Sequence, residues 1–225
     1  MKIDVLTLFP EMLEPLKVGI IGRALDKGIF TLNVTDFREF SKDKHKHVGD
    51  YLLGGGAGLI IPPQPVADAV NAVDSKHEAK RIYLSPRGRV FNQTVAKELV
   101  REERLLFLCG CYEGVDQRVL DKCFDDEISI GDYIMTCGEI GALAVINTTV
   151  RLLSGVLGSE ESLEKESFDD NLLEYPQYTR PAVWEGIKVP EVLLSGDHAE
   201  VDKWRQQKRI EITKERRPDL LKKKK

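Results

Sequence analysis

The sequence has few of the residues from which metal and disulfide sites are built. Among its 225 residues are four cysteines and four histidines, with no CxxC pair and no HExxH motif. A structural zinc site is therefore not expected, and no metal-ligand cluster can be located. We expect reduced, mostly buried thiols at the four cysteines, which are Cys109, Cys111, Cys123 and Cys137.

The sequence also lacks a long apolar segment. No run approaches the ~20 apolar residues that a membrane span needs. Asp4 lies inside the apolar run near the start of the sequence, which is not typical of a secretory signal. We therefore expect a cytoplasmic protein that makes no contact with a membrane.

Common phosphate-binding and hydrolase motifs are absent as well. The glycine-rich run GGGAG at residues 54–58 is not followed by the GK[ST] of a P-loop. No GxGxxG opens a helix after the first predicted strand, and no GxSxG occurs. These absences disfavour nucleotide-dependent dehydrogenases and hydrolases of the common types.

The charge is unevenly distributed. The formal net charge is −4, but residues 201–225 carry eleven Lys or Arg against four Asp or Glu, a net +7, so the rest of the chain carries −11. A solvated helix face explains such a run as readily as a nucleic-acid-binding surface does. A second basic run, at residues 42–47, would strengthen the nucleic-acid interpretation if the two fold together.

Short apolar runs alternate with helical patterns through most of the sequence. Residues 105–109 are continuously apolar, which favours a strand buried on both faces. Pro63 and Asn92 are typical of helix starts. The alternation predicts an α/β fold with an open, mostly parallel sheet. The predicted strands are residues 3–8, 30–37, 81–84 and 105–109, and the predicted helices are residues 10–26, 62–74, 92–103 and 139–153.

Three predicted loops follow strands and are rich in glycine and polar residues. They are residues 85–88, 110–116 and 129–141. In open α/β sheets, ligands bind at the carboxyl ends of the strands. The three loops therefore predict one shared pocket.

The last quarter of the sequence has a different character. Residues 159–170 are acidic, polar and poor in large apolar side chains, which is typical of a mobile linker that orders on binding. A proline-rich stretch and a final helical region, about residues 197–221, follow. We therefore predict a first domain over residues 1–158, a linker over 159–170 and a small, mostly helical C-terminal domain over 171–225.

Eight motifs together resemble one known family over nearly the whole chain. They are LTLFPEM (6–12), GGGAG (54–58), YLSPRG (83–88), GCYEGVDQR (110–118), SIGDY (129–133), SGVLG (154–158), YPQYTRP (175–181) and LLSGDHA (193–199). In this order they are similar to the bacterial tRNA (guanine-N1)-methyltransferases of the knotted SPOUT class.

The resemblance implies features of fold, cofactor, assembly and reaction that the residue pattern alone does not predict. It implies a SPOUT-type deep trefoil knot in the parallel sheet, S-adenosylmethionine as cofactor, and a homodimer with its active sites at the interface. The implied reaction is methyl transfer to N1 of the guanosine immediately 3′ of a tRNA anticodon. The implied activity is associated with Mg²⁺, which is thus a candidate second cofactor. Two alternatives stay open: a relative that only binds tRNA and cofactor, and an RNA methyltransferase with a different target.

The resemblance also implies a set of cofactor-binding residues in the three loops. Backbone groups there would hold the adenine and the ribose. Carried onto this sequence, the set is Tyr83, Leu84, Ser85, Pro86, Gly110, Tyr112, Glu113, Ser129, Ile130, Gly131, Asp132, Tyr133, Ile134, Met135, Cys137 and Gly138.

Two catalytic residues are implied in the same way. Arg151 would stabilise the negative charge that develops on the guanine as N1 loses its proton. The base would be Glu166, which stands before a Ser-Phe pair where the family has aspartate. Glutamate keeps the carboxylate but adds a methylene, and Asp169 and Asp170 are alternative bases.

The implied tRNA contacts lie in both domains, at Gly55, Gly56, Ser195, His198 and Arg205. Other positions in the motifs depart from the family pattern. Cys111 stands where a basic residue or histidine is usual, Cys137 where glycine is usual, and Gly141 where proline is usual. We expect these departures to weaken cofactor binding and to leave the core unaffected.

Overall fold

The fold is taken from a computed structural model, which describes residues 1–158, 166–168 and 170–222. The chain divides into two compact units, Met1–Gly158 and Ser159–Lys225, and each is described by itself. None of the helices in the described part of the chain combines the length and apolarity needed to cross a membrane.

The first unit is built on a sheet of five parallel strands. Its strand order is β2-β1-β4-β3-β5, and every neighbouring pair is parallel. The predicted parallel α/β sheet is therefore confirmed. The strands are β1 Lys2–Thr7, β2 Thr31–Asp36, β3 Lys80–Val90, β4 Arg104–Cys109 and β5 Asp126–Ser129.

Three of the α-helices described in this unit begin at residues that favour helix starts. Pro63 occupies the first position of its helix, where its missing N–H is not needed. Asn92 and Asp116 accept hydrogen bonds from the backbone N–H groups of Val95 (3.1 Å) and Arg118 (2.9 Å), respectively. The α-helices are α1 Gly19–Asp26, α2 Pro63–Asp74, α3 Gln93–Leu99, α4 Gln117–Cys123 and α5 Glu139–Val150.

The sheet separates two apolar cores, as expected for a parallel sheet covered on both faces. Alternate residues of β4 show this division. Leu105, Phe107 and Cys109 pack in one core with α5, whereas Leu106 and Leu108 pack in the other with α2 and α4. The continuous apolar run at 105–109 is therefore a central strand buried on both sides.

One predicted helix is wrong. Residues 10–26 form a 3₁₀-helix, Pro10–Lys17, followed by α1, with Val18 extended between them. Pro15 lies inside the first segment, and Gly19 turns the chain at a φ of +66°. A single straight helix cannot form across these residues.

The third strand also differs from the prediction. It runs on from Leu84 to Val90, and its register with β5 shifts between Leu84 and Arg89. The predicted loop at residues 85–88 is therefore an irregular part of a strand. A Cβ at Gly88 would lie 2.4 Å from the backbone of Glu127, so the strands meet closely where the register shifts.

The order of the strands alone does not show whether the chain is knotted, that is, whether it passes through a loop formed by its own backbone. The trefoil knot therefore stays a prediction.

The second unit is a small helical unit with one hairpin. Its strands are β6 Val183–Trp184 and β7 Ile187–Lys188, and its long helix is α6 His198–Arg216. Asp197 caps α6 by accepting hydrogen bonds from the N–H groups of Ala199 (3.1 Å) and Glu200 (3.2 Å). The sequence did not predict the hairpin, whose strands have only two residues each. Residues 159–165 and 169 of the proposed linker lie outside the described residues, so its mobility stays a prediction.

A network of buried charges joins α2 to the sheet of the first unit. Asp74 accepts hydrogen bonds from Arg81 Nε (2.8 Å) and Arg104 Nη1 (3.3 Å), and Arg104 Nε donates to Asp4 (2.9 Å). Burial acts to raise the pKa of Asp74. The hydrogen bonds from Arg81 and the backbone nevertheless hold its pKa below the ordinary value.

We predict that Asp74→Asn lowers the free energy of unfolding by about 3–5 kcal/mol, because the buried guanidinium group of Arg81 and the partly buried one of Arg104 lose a charged partner. Urea unfolding measures this. Since the pKa of Asp74 is lowered by folding, its contribution is present above the unfolded pKa and is lost as the pH falls. The difference between the variant and the wild type should shrink below about pH 4.

The control for this variant is Glu14→Gln, which removes an exposed ion pair with Lys17 (2.5 Å). It should change the stability by no more than about 0.5 kcal/mol. Equal effects of the two substitutions would contradict a stabilising role for the buried network.

Candidate active site

A cavity of about 510 Å³ lies at the edge of the sheet where β4 and β5 end, next to the irregular part of β3. Three segments form most of its wall: residues 83–87, 110–117 and 128–141. They contain or overlap the three loops that the sequence singled out. Their proximity follows from the topology, because parallel strands end at the same edge of a sheet.

The structure brings together fifteen of the sixteen predicted cofactor-binding residues as lining of this cavity; the exception, Asp132, does not line it. The predicted set of cofactor-binding residues omitted nine further lining residues. Six of them lie within the three predicted loops, and two more, Gln117 and Ile128, lie directly beside those loops. Ile60 lies far away in sequence and carried no such signal. The nine are Ile60, Arg87, Cys111, Gly114, Val115, Gln117, Ile128, Thr136 and Gly141.

The loop after β4 meets the start of α5 through a backbone hydrogen bond. The N–H of Gly138 donates to the carbonyl of Gly110 at 2.9 Å. A Cβ at Gly138 would lie 2.9 Å from Gly110 N and 3.0 Å from Cys109 Cα. Only glycine at position 138 permits this approach without moving backbone. The contact fixes two of the cavity's three walls relative to each other.

A second segment, residues 59–61, holds the β4 loop from its other side. The N–H of Glu113 donates to Leu59 O, and the N–H of Ile61 donates to Gly114 O, both at 2.9 Å. These bonds explain why Ile60 reaches the cavity. Gly55 and Gly56 lie just before this segment, with φ values of +86° and +126° and no neighbouring atom within 4 Å of an added Cβ. They form an exposed turn of the first unit.

Two side chains of the cavity stay protonated at neutral pH. Burial raises the pKa of Tyr83 to about 12, with a smaller contribution from the charge of Glu127. Burial also raises the pKa of Cys111 to about 12, and Glu139 adds to this. The Cys111 thiol is therefore a neutral group, and it does not replace the charge of the basic residue expected at this position.

A buried carboxylate lies behind the cavity at the first residue of α5. Glu139 is almost fully buried and accepts a hydrogen bond from the hydroxyl of Thr7, at the end of β1. The Thr7 hydroxyl in turn accepts from the N–H of Phe9 at 2.9 Å. The other oxygen of Glu139 has no hydrogen-bond partner among the described residues. Its position in the first helical turn favours a negative charge.

The predicted catalytic residues lie in different units. Arg151 directly follows α5 in the first unit, and Glu166 lies in the second; both are partly buried. Asp169, one of the alternative bases, lies outside the described residues. The other alternative, Asp170, is in an ion pair with Arg209.

The three predicted tRNA-binding residues of the second unit lie at and just before α6. The Ser195 hydroxyl donates to Val192 O (2.8 Å), and His198 is the exposed first residue of the helix. Arg205 lies over the ring of Tyr175, with its guanidinium carbon 5.1 Å from the centroid.

Within residues 1–158, 166–168 and 170–222, no group of three or more His, Cys, Asp or Glu side chains is placed to hold a metal ion. Mg²⁺ therefore stays a candidate that rests on the resemblance alone.

Comparison with known proteins shows the family of the chain. Residues 1–223 match the family model described as tRNA (Guanine-1)-methyltransferase TrmD. The chain belongs to this family. It is 55% identical to a tRNA (guanine-N(1)-)-methyltransferase of Clostridium perfringens over 223 residues, which cover 99% of this chain and 94% of that protein. Relatives with the same name from Clostridium botulinum and Clostridium novyi are each 52% identical, over 99% of this chain and 92% of their own length.

We predict that Thr7→Val lowers the free energy of unfolding by about 1–3 kcal/mol, because the buried carboxylate of Glu139 loses its hydrogen-bond donor. Urea unfolding measures the change. Thr148→Val is the matched control, because Thr148 lies on the exposed side of α5 and donates only to Ala144 O (2.8 Å). The control should lose no more than about 0.5 kcal/mol. A loss for Thr7→Val as small as the control's would refute a stabilising contact behind the cavity.

Proposed function

We propose that this protein uses S-adenosylmethionine to methylate N1 of the guanosine immediately 3′ of the anticodon in tRNA. The observation that carries the proposal is membership of the tRNA (Guanine-1)-methyltransferase family over residues 1–223. The cavity where β4 and β5 end supports it, since an open parallel sheet binds its ligand at the carboxyl ends of its strands.

The cavity suits such a cofactor in size and lining. Its volume of about 510 Å³ lies within the range of small-molecule sites, roughly 300–1,000 Å³. Leu84, Ile130 and Ile134 offer apolar surface for an adenine ring, while the glycine-containing loops let backbone polar groups approach it. When bound, S-adenosylmethionine supplies a methyl group carried on a positively charged sulfur.

We assign the proton transfer to residues of this chain. Guanine N1 carries a proton, so its lone pair is not available until a base removes that proton. Glu166 is the proposed base, and Arg151 is the proposed stabiliser of the negative charge that spreads to the guanine oxygen. The guanidinium group is permanently charged and planar, which suits a carbonyl oxygen acceptor. No step is assigned to Mg²⁺.

The proposed tRNA surface lies in both units. Gly55 and Gly56 supply an exposed turn, and the strong positive charge of residues 201–225 favours phosphate contacts. Ser195, His198 and Arg205 are the proposed contacts near the target nucleotide. The acceptor molecule is cytoplasmic tRNA, so we also propose a cytoplasmic location.

We further propose that the active form is a homodimer whose active sites lie at the subunit interface. Three large apolar side chains of the first unit support an interface. Tyr51, Leu53 and Ile134 are 82%, 95% and 82% exposed, respectively, and Ile134 belongs to a cavity wall. A partner subunit would remove this apolar surface from water.

The direct test is transfer of a labelled methyl group from S-adenosylmethionine to an unmodified tRNA transcript. A second transcript carries adenosine in place of the guanosine 3′ of the anticodon. We expect transfer to the first transcript only. Transfer to both would instead indicate a methyltransferase of different target. No transfer to either, with tRNA still bound, would indicate a protein that only binds tRNA and cofactor.

We predict that Gly138→Ala raises the Kd for S-adenosylmethionine about tenfold or more. The added methyl would press on the backbone of Gly110 and Cys109, and overpacking of this kind costs about 1–3 kcal/mol. Isothermal titration calorimetry measures the Kd. Gly158→Ala is the control, because an added Cβ there has no atom of the described residues within 4 Å. Equal affinities for the two variants would show that the backbone contact does not shape the cofactor site.

A further inference from the structure

The segment that carries Glu166 closes on itself. The N–H of Phe168 donates to Leu172 O at 2.8 Å, and the N–H of Glu174 donates to the hydroxyl of Ser167 at 3.0 Å. Both bonds join residues four to seven positions apart. The described residues from 166 to 174 therefore form a compact loop, and Glu166 lies at its start.

Three contacts attach this loop to α6 and to the residue that follows the helix. Asp170 forms an ion pair with Arg209, the N–H of Leu173 donates to the hydroxyl of Thr213 (2.9 Å), and the Arg217 guanidinium carbon lies 5.8 Å from the centre of the Phe168 ring. The three residues on the helix side are spaced by four, at positions 209, 213 and 217. This spacing places them along one face of a helix.

The ion pair is the most constrained of the three contacts. Both oxygens of Asp170 accept from the Arg209 guanidinium, one of them from Nη1 at 2.8 Å. The Arg209 side chain is only 4% exposed, whereas that of Asp170 is 51% exposed. Gln206 adds one long contact (3.5 Å), and Arg209 Nε has no partner among the described residues. The buried charge therefore depends mainly on Asp170 for compensation.

A bidentate pair of this kind fixes direction as well as distance. Since Asp170 is four residues from Glu166 within the same closed loop, the pair restricts where the Glu166 carboxylate can lie. Asp170 itself is poorly suited to act as the base, because both of its oxygens are already used by Arg209.

We infer that Arg209 is a positioning residue for methyl transfer: through Asp170 it holds the loop that presents Glu166 to the guanine. This inference rests on the proposed function and on Glu166 as its base. Arg209, a buried residue of α6, would thus affect the rate of methyl transfer.

The expected effect is on turnover and not on cofactor binding. A displacement of about 1 Å in a positioned catalytic group lowers the rate about a hundredfold. Arg209→Met should therefore lower kcat by about that factor. The KM for S-adenosylmethionine should stay the same, because its proposed cavity is built from residues 60–141. Arg209→Lys keeps the charge without the planar fork, so its kcat should lie between those of the wild type and Arg209→Met.

A double-mutant cycle with Glu166 separates positioning from a general structural effect. If Arg209 acts through Glu166, adding Arg209→Met to Glu166→Gln should change kcat by no more than about threefold. A structural role would lower kcat by the same factor in both backgrounds. Methyl transfer to the tRNA transcript is measured for the wild type, both single variants and the double variant.

Folding is checked by urea unfolding. If Arg209→Met alone unfolds, it is combined with Asp170→Asn. The combined variant removes both charges of the ion pair, so neither charge is left without its partner, and its kcat can be measured instead. Glu14→Gln in the first unit is the control. It removes an exposed ion pair with Lys17 (2.5 Å), outside the proposed cofactor and tRNA sites, and should leave kcat unchanged.

The outcomes separate the inference from the function on which it rests. A wild type that transfers no methyl group would overturn the proposed function. An active wild type with Glu166→Gln unaffected would overturn Glu166 as base and the inference with it. Normal kcat in folded Arg209→Met, or equal losses in both backgrounds, would overturn the positioning role alone.

Discussion

The candidate active site depends on one close backbone contact, between Gly138 at the start of α5 and Gly110 after β4. The 2.9 Å hydrogen bond from Gly138 N–H to Gly110 O brings two loops from distant parts of the sequence together, and no side chain fits between them. The bonds from residues 59–61 hold the same β4 loop from its other side. Because these contacts use backbone atoms, the cavity wall is defined by the path of the chain, and its side chains can vary without moving the wall.

Both units also use arginine–aspartate pairs with at least one buried partner to fix elements that are distant in sequence. In the first unit, Asp74 joins α2 to Arg81 on β3 and Arg104 on β4. In the second unit, Asp170, which is half exposed, attaches the loop carrying Glu166 to the buried Arg209 of α6. A buried charge contributes little net stability compared with apolar packing, but its partner is costly to remove, so the pair favours one arrangement over its competitors. Such specificity matters most for a loop that carries a proposed catalytic residue.

The parallel sheet and the location of the cavity were predictable because their signals are local. The continuous apolar run at 105–109, Pro63 and Asn92 mark elements through local signals. Parallel strands then place the irregular part of β3 and the loops after β4 and β5 at one edge. The break between Pro10–Lys17 and α1 was missed although Pro15 signals it. The extension of β3 to Val90, the approach of Gly138 to Gly110, and the position of Ile60 depend on partners far away in sequence, which no local pattern encodes. The assignments of Glu166 and Arg151 came from family resemblance and stay proposals.

We propose that the cavity where β4 and β5 end is the cofactor site. A crystal structure of the protein with S-adenosylhomocysteine, the product that S-adenosylmethionine leaves after methyl transfer, is the sharpest test. We expect electron density for the adenosine between the β4 loop at Gly110 and the segment ending at Gly138, in contact with residues 83–86. Density for the ligand at another place on the protein, with this cavity filled only by water, would show that the cofactor binds elsewhere.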